Sequence, residues 1–297
     1  MPRPSFLRFS RFARFFKKSP SKPSAQPAPK ALSSRRAAGC ALLTLSALLA
    51  LTLFVFRPGE RAVSAAKEDE TLPSSVTLAG KRVLPVYGVA RTDRAVALTI
   101  DAAWGGDKTP EILSILKEKQ APATFFLVGR WIREFPDLTR AIAEAGHVIG
   151  SHSDSHPHLC SLSDSQIQAE LSETAAALTD LGLPAPTLFR PPFGEYDDRV
   201  VTALRSAGYQ VIQWSVDTLD WKEERTASQV METVARKIEP GAILLCHNNA
   251  NTIAEYLGEL IDFLRGEGYT LVSLPELLYD GFSIDNNGVQ HPPETAN

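Results

Sequence analysis

The chain has 297 residues, 44% of them hydrophobic, and a formal net charge of −3, enough apolar content to bury a sizeable core in one large or two small domains. The small net charge hides an asymmetry: ten of the 31 Lys and Arg lie within residues 1–36, where no acid occurs, so the other 21 face all 34 Asp and Glu. No Gly-rich phosphate loop, Gly-x-Ser-x-Gly elbow or paired Cys-x-x-Cys is present, which argues against nucleotide binding, serine-hydrolase chemistry and a zinc ribbon.

In chain order, residues 1–36 read as a basic cytoplasmic arm and residues 37–56 as an uncharged run of membrane-spanning length. Positive charge ahead of the run predicts that everything after it is exported. A cleaved signal is the competing reading; the length of the run and the lack of a clear small-x-small site after it favour an uncleaved, single-pass anchor in the cell membrane. The Arg and Phe of the arm are more simply held by anionic lipid than by nucleic acid. Residues 57–82 are polar and aperiodic, as in a stalk. Residues 82–89 suggest an edge strand, because Pro85 is tolerated only at an edge or bulge.

Regular alternation starts at residue 95. Strands are expected at 95–100, 123–128, 147–150, 187–189, 209–216, 242–246 and 269–272. Between them fall a helix capped by Thr109 with Pro110 at its first position and helices at 130–145, 163–178, 197–206, 228–238 and 252–265, the third announced by a Ser163/Gln166 capping box. This alternation predicts a parallel α/β sheet or barrel over residues 83–280, with 281–297 as a loose, flexible tail. Cys40 lies in the apolar run; Cys160 and Cys246 are free either to pair or to pack as small apolar side chains.

Gly150-Ser-His-Ser-Asp-Ser-His-Pro157 places His152 and His156 four residues apart among hydroxyl groups. That spacing suits two ligands to one metal ion, although a polar surface turn has the same wording. Asp101, Arg190, Asp217, Asp220 and His247 join the pair at or just beyond expected strand ends, where parallel α/β folds assemble their sites.

Five stretches carry a resemblance: Thr99-Ile-Asp-Ala, Ser151-His-Ser-Asp-Ser-His, Arg190-Pro-Pro-Phe-Gly, Asp217-Thr-Leu-Asp-Trp and Leu245-Cys-His. In this order they resemble the polysaccharide deacetylase family (carbohydrate esterase family 4, the NodB-homology fold), across about residues 95–275. The wording Asp-Ala-Ala-Trp-Gly at 101–105 is most similar to membrane-anchored members of spore-forming Gram-positive bacteria. The resemblance implies a distorted (β/α)7-type barrel and metal-dependent hydrolysis of N-acetyl groups on cell-wall amino-sugar polymer, peptidoglycan or chitin-like oligomers, by a monomer.

It further implies that His152 and His156 hold a divalent metal, foremost zinc with cobalt, nickel or manganese as alternatives. Asp101 would be the general base, Arg190 its orienting partner, and His247 the general acid held protonated by Asp220. Trp221 and Leu245 would receive the acetyl methyl, and a backbone N–H near Phe193 would meet the oxyanion. His147 reads as structural, His158 as an accessory loop residue and His291 as part of the tail. The family usually has a second aspartate where this chain has Ala102, so the third metal ligand is missing; Asp107, Asp101 itself or water could take its place. Two alternatives follow: a glycan-binding or scaffolding envelope protein with little turnover, or a glycosidase using Asp217 and Asp220.

Overall fold

A computed structural model of the protein describes residues 82–293. The basic arm, the expected membrane span and nearly all of the expected stalk lie outside the described residues, among which no helix is long and apolar enough to cross a membrane.

The elements in chain order are β1 (Gly88–Val89), β2 (Ala95–Ala102), α1 (Thr109–Glu118), β3 (Thr124–Leu127), α2 (Gly129–Glu134), α3 (Pro136–Glu144) and β4 (Val148–Ser151). Then come α4 (Asp164–Thr179), β5 (Leu188–Phe189), α5 (Asp198–Ser206), β6 (Gln210–Val211), β7 (Val216–Asp217), α6 (Ala227–Lys237), β8 (Ile243–His247), α7 (Ile253–Gly266), β9 (Thr270–Val272) and α8 (Leu274–Leu277). Two short strands, β10 (Ser283–Ile284) and β11 (Val289–His291), close the described chain.

Eight strands make a parallel sheet in the order β6-β5-β4-β3-β2-β8-β7, with β9 paired to β2 beyond the end of β3. Only residues 212–215 connect β6 to β7, the two ends of that order. Those residues reach at most about 18 Å, whereas edge strands of a flat sheet this wide would stand about 29 Å apart. The sheet therefore curls into a half-barrel. The expected single strand over 209–216 is for this reason two strands with a crossing between them. Residues ahead of β2 bridge the ends of the curl: Val86 pairs with Ile212, and Gly88 with Ala242. Close approach there needs Gly241, at φ +80°, because a Cβ would lie 1.7 Å from the Val89 carbonyl oxygen.

Strand β2 is buried on both faces, as expected of a central parallel strand. Val96, Leu98 and Ile100 pack among the helices, while Ala95 and Ala97 join Phe126, Leu188 and Ile243 inside the curl. By the same alternation Thr99 and Asp101 point inward, and the small alanines below them leave room for polar groups above.

Three local expectations are corrected. The helix expected over 130–145 is broken at Phe135 (φ −125°, ψ 59°), because the residue before Pro136 is pushed out of the helical region. Thr109 is the first helical residue, not the cap. The tail expected to be loose forms β10 and β11, which pair antiparallel with each other while β11 runs parallel to β1. Asp285 makes this turn by accepting hydrogen bonds from the backbone of Asn287 and Val289, and Gln290 is fully buried. The expected edge strand at 82–89 is shorter, reduced to β1 in this small second sheet.

Candidate active site

The C-terminal ends of the parallel strands surround a cavity of about 600 Å3 lined by Asp101, His152, His156, Phe193, Asp217, Asp220, Trp221, Leu245 and His247, among others. Sheet register does much of the assembly: Asp101 pairs directly with His247, and Asp217 with Leu245. Arg190 stands behind the lining, fully buried. Of the residues singled out in the sequence, Asp107 is exposed and outside the lining, so it does not supply the missing ligand. His147 packs on Phe125 and His291 faces Asp285, both away from the cavity lining, while His158 pairs with Glu195 and stacks on the lining residue Phe193, ring centroids 4.3 Å apart. Cys160 is exposed and Cys246 buried, and they are not bonded to each other.

Arg190 Nη1 donates to Asp101 Oδ1 at 2.6 Å and to Thr99 Oγ1 at 2.9 Å, and Nη2 donates to the Gln213 carbonyl at 3.2 Å. The guanidinium also lies 4.1 Å over the Phe126 ring. Burial alone would raise the Asp101 carboxyl, but the Arg190 charge, helped by His152 and His247, holds it below its ordinary value. Asp101 is therefore a buried carboxylate kept ionised, with Oδ1 fixed and Oδ2 turned to the cavity.

His152 Nδ1 donates to the Arg190 carbonyl at 2.7 Å, so its Nε2 presents a lone pair, 3.5 Å from Asp101 Oδ2. Two electron-rich atoms facing each other at that distance suit a shared proton or cation. His156 sits edge-on to His152, with ring centroids 4.8 Å apart, and its Nδ1 is buried without a partner. Burial, then the neighbouring His152, lowers its pKa to about 4; burial likewise lowers His152. Both imidazoles are thus neutral at physiological pH, the form that ligates metals. Among the described residues, however, no group of three or more His, Cys, Asp or Glu is arranged to hold a metal ion. Ala102 is buried and contributes only a methyl group. The residues fit a divalent cation held by two histidine nitrogens and solvent, short of the three protein ligands of a typical zinc site.

On the opposite wall, His247 Nδ1 donates to Asp220 Oδ1 at 2.8 Å, and the His247 backbone N–H donates to Asp220 Oδ2 at 3.0 Å. Burial would lower the imidazole, yet the Asp220 hydrogen bond and charge outweigh it and the pKa is raised. With Nδ1–H committed, Nε2 carries the exchangeable proton. Asp220→Asn removes the largest raising influence and leaves the burial opposed only by the charges of Asp101 and Asp217, so the His247 titration followed by NMR is expected to fall. Asp220 is only 2% exposed and committed to His247, so it is not free to serve with Asp217 as a glycosidase pair.

Trp221, Phe193 and Trp104 are the large hydrophobic side chains that stand exposed among the described residues, and all three line this cavity. Leu245 lies at its floor, 2% exposed. Four of the six non-glycine residues with positive φ, Ser153, His156, Phe193 and Leu219, also lie in or beside the lining loops, and such strain persists only where surrounding structure enforces it. Sequence reasoning left out Trp104, which packs edge-on against His156 at 4.9 Å, and Tyr256, which donates to Asp220. Trp104 was visible as a lone aromatic just past a strand end. Tyr256 was visible as the hydroxyl on an otherwise apolar helix face.

The family profile for polysaccharide deacetylase matches residues 88–212. Over 191 residues the chain is 31% identical to the peptidoglycan-N-acetylmuramic acid deacetylase PdaA of Bacillus subtilis, covering 63% of this chain and 73% of that one. This chain belongs to the polysaccharide deacetylase family. The solved PdaA structure superposes with a TM-score of 0.62, covering 65% of this chain and 84% of PdaA. The peptidoglycan-N-acetylglucosamine deacetylase PgdA of Listeria monocytogenes is 34% identical over 222 residues, 75% of this chain and 46% of PgdA; the chain thus spans about half the length of that relative. BA3943 of Bacillus anthracis, described as a family pseudoenzyme, is 32% identical with a TM-score of 0.62, covering 71% of this chain and 73% of that one. The curled half-barrel is the fold of this family, and the site lies where its strands end.

Proposed function

We propose that this chain is an N-deacetylase of amino sugars in cell-wall glycan, releasing acetate and leaving the free amine. The observation that carries the reading is the pairing of Asp101 with His247 across β2 and β8, each with a buried partner of opposite charge and both facing one cavity. A binding module has no use for a held base opposite a held acid. A divalent cation on His152 and His156 would polarise the acetamide carbonyl and acidify the attacking water.

Asp101 Oδ2 takes the proton of that water as its oxygen attacks the carbonyl carbon. The Arg190 bond to Oδ1 keeps the other oxygen turned outward. As the C–N bond breaks, His247 Nε2 gives its proton to the departing amine. Leu245 and Trp221 bound the space for the acetyl methyl, and in the turn where Phe193 and Gly194 are both at positive φ the Gly194 N–H is spent on the Pro191 carbonyl, which leaves the Phe193 backbone N–H to meet the developing oxyanion. Exposed aromatic faces at the rim suit the apolar faces of neighbouring sugar rings.

The peptidoglycan deacetylases among its relatives support cell-wall glycan as the substrate. The uncharged run at 37–56 behind a basic arm supports a membrane-anchored protein with this domain outside. His152→Ala is expected to strip bound metal and abolish acetate release from N-acetylglucosamine oligomers, and a chelator should do the same reversibly. Full activity after metal removal would contradict the reading. A second reading, a glycan binder with little turnover, is favoured by Ala102 and by the similarity to a pseudoenzyme; it is distinguished by glycan binding without acetate release.

A further inference from the structure

The core face of α7 is formed by Ile253, Tyr256, Leu257, Leu260, Ile261 and Leu264. Five of these are aliphatic; the sixth carries a hydroxyl. A fully buried tyrosine hydroxyl needs a partner, and here it finds the one carboxylate that holds His247: Tyr256 Oη donates to Asp220 Oδ2. The Asp220 carboxylate thus receives three hydrogen bonds, from His247 Nδ1 on Oδ1 and from the His247 backbone N–H and Tyr256 Oη on Oδ2. Two of these tie the carboxylate to the residue it serves. The third comes from a separate element, and it anchors the loop after β7 to the helix after β8.

We infer that Tyr256 is a positioning residue that acts through Asp220 to set the orientation and acidity of His247. The inference rests on His247 being the acid of the proposed deacetylation. Physically, the phenol does two things. It fixes the plane of the carboxylate, so the imidazole is aimed by a rigid support. It also draws electron density from Asp220, so the carboxylate holds the Nδ1 proton less strongly and His247 stays acidic enough to release its Nε2 proton. The charged and titratable groups around His247 are Asp220 and Asp217 from the β7 loop, Asp101 on β2, His152 after β4, Cys246 on β8 and Tyr256 on α7. Among them Tyr256 alone can be changed by one oxygen atom without removing a charge.

The test compares Tyr256→Phe with Ile261→Val, a one-methylene packing change on the same helix face. The His247 titration is read by NMR on each folded protein, and acetate release is read as a pH profile. Tyr256→Phe is expected to raise the His247 pKa, to move the alkaline limb of kcat by the same amount, and to lower kcat about tenfold, a fraction of what a positioned general acid contributes. Ile261→Val should leave the His247 titration and the limb in place. An unchanged titration in Tyr256→Phe, or an equal change in Ile261→Val, would overturn the inference. Because the NMR titration needs no substrate, a shift in Tyr256→Phe with no acetate from the wild type would sink the deacetylase reading and leave the Tyr256 coupling standing.

Discussion

Asp101→Asn is expected to cut acetate release by about a thousandfold, the scale of a lost general base, while leaving metal content unchanged. The amide still offers an oxygen to Arg190 Nη1, which holds it in place although the buried Arg190 charge loses its partner and stability falls. It cannot take a proton from water, however, so activity is compared on protein shown to be folded. Metal analysis separates this from His152→Ala, which should lose both metal and activity. Assayed on N-acetylglucosamine oligomers, retention of more than a tenth of wild-type activity by Asp101→Asn would remove Asp101 from the role of base.

Arg190→Met should be among the most destabilising single changes in the domain. The guanidinium is fully buried, paired with Asp101, bonded to Thr99 and Gln213, and stacked on Phe126. Removing one partner of a buried ion pair costs about 3–5 kcal/mol because the other charge is left uncompensated, a fall in melting temperature on the order of 10 °C. The pH dependence carries a sign. In the wild type the Asp101 pKa is lowered on folding, so its contribution is present above the unfolded carboxylate value of about 4 and lost as pH falls through the folded one. Without Arg190, burial dominates and the folded pKa is raised, so the sign reverses and stability is lost as pH rises. The deficit of Arg190→Met should therefore be larger at pH 7 than at pH 4, measured by denaturant unfolding at both. A deficit independent of pH would mean that the cost is packing alone.

Much of this site was legible because parallel strands bring their ends together. Apolar runs stopping at Asp101, at the His152 segment, at Arg190 and at His247 mark strand ends, and strand ends converge whatever the details of the curl. What was not legible depended on partners distant in sequence. Nothing local shows that Asp220 is shared between His247 and Tyr256, which rules it out as a free carboxylate for glycoside cleavage. Nothing local shows that residues 209–216 must cross between the two ends of one sheet. Two misses had local signals. Phe135 before Pro136 marked the helix break, and Asp285-Asn-Asn-Gly288 marked the hairpin in what looked like a tail. The absent third ligand at Ala102 was plain in the sequence. The structure adds that Asp107 does not replace it, and that a charged Asp101 oxygen faces the lone pair of His152.

The most direct measurement is mass spectrometry of N-acetylglucosamine oligomers incubated with the metal-supplied protein. The account predicts loss of acetyl groups at unchanged chain length, together with free acetate, and neither in Asp101→Asn. Shortened chains with every acetyl group retained, or oligomers recovered intact from a folded and metal-loaded protein, would contradict it.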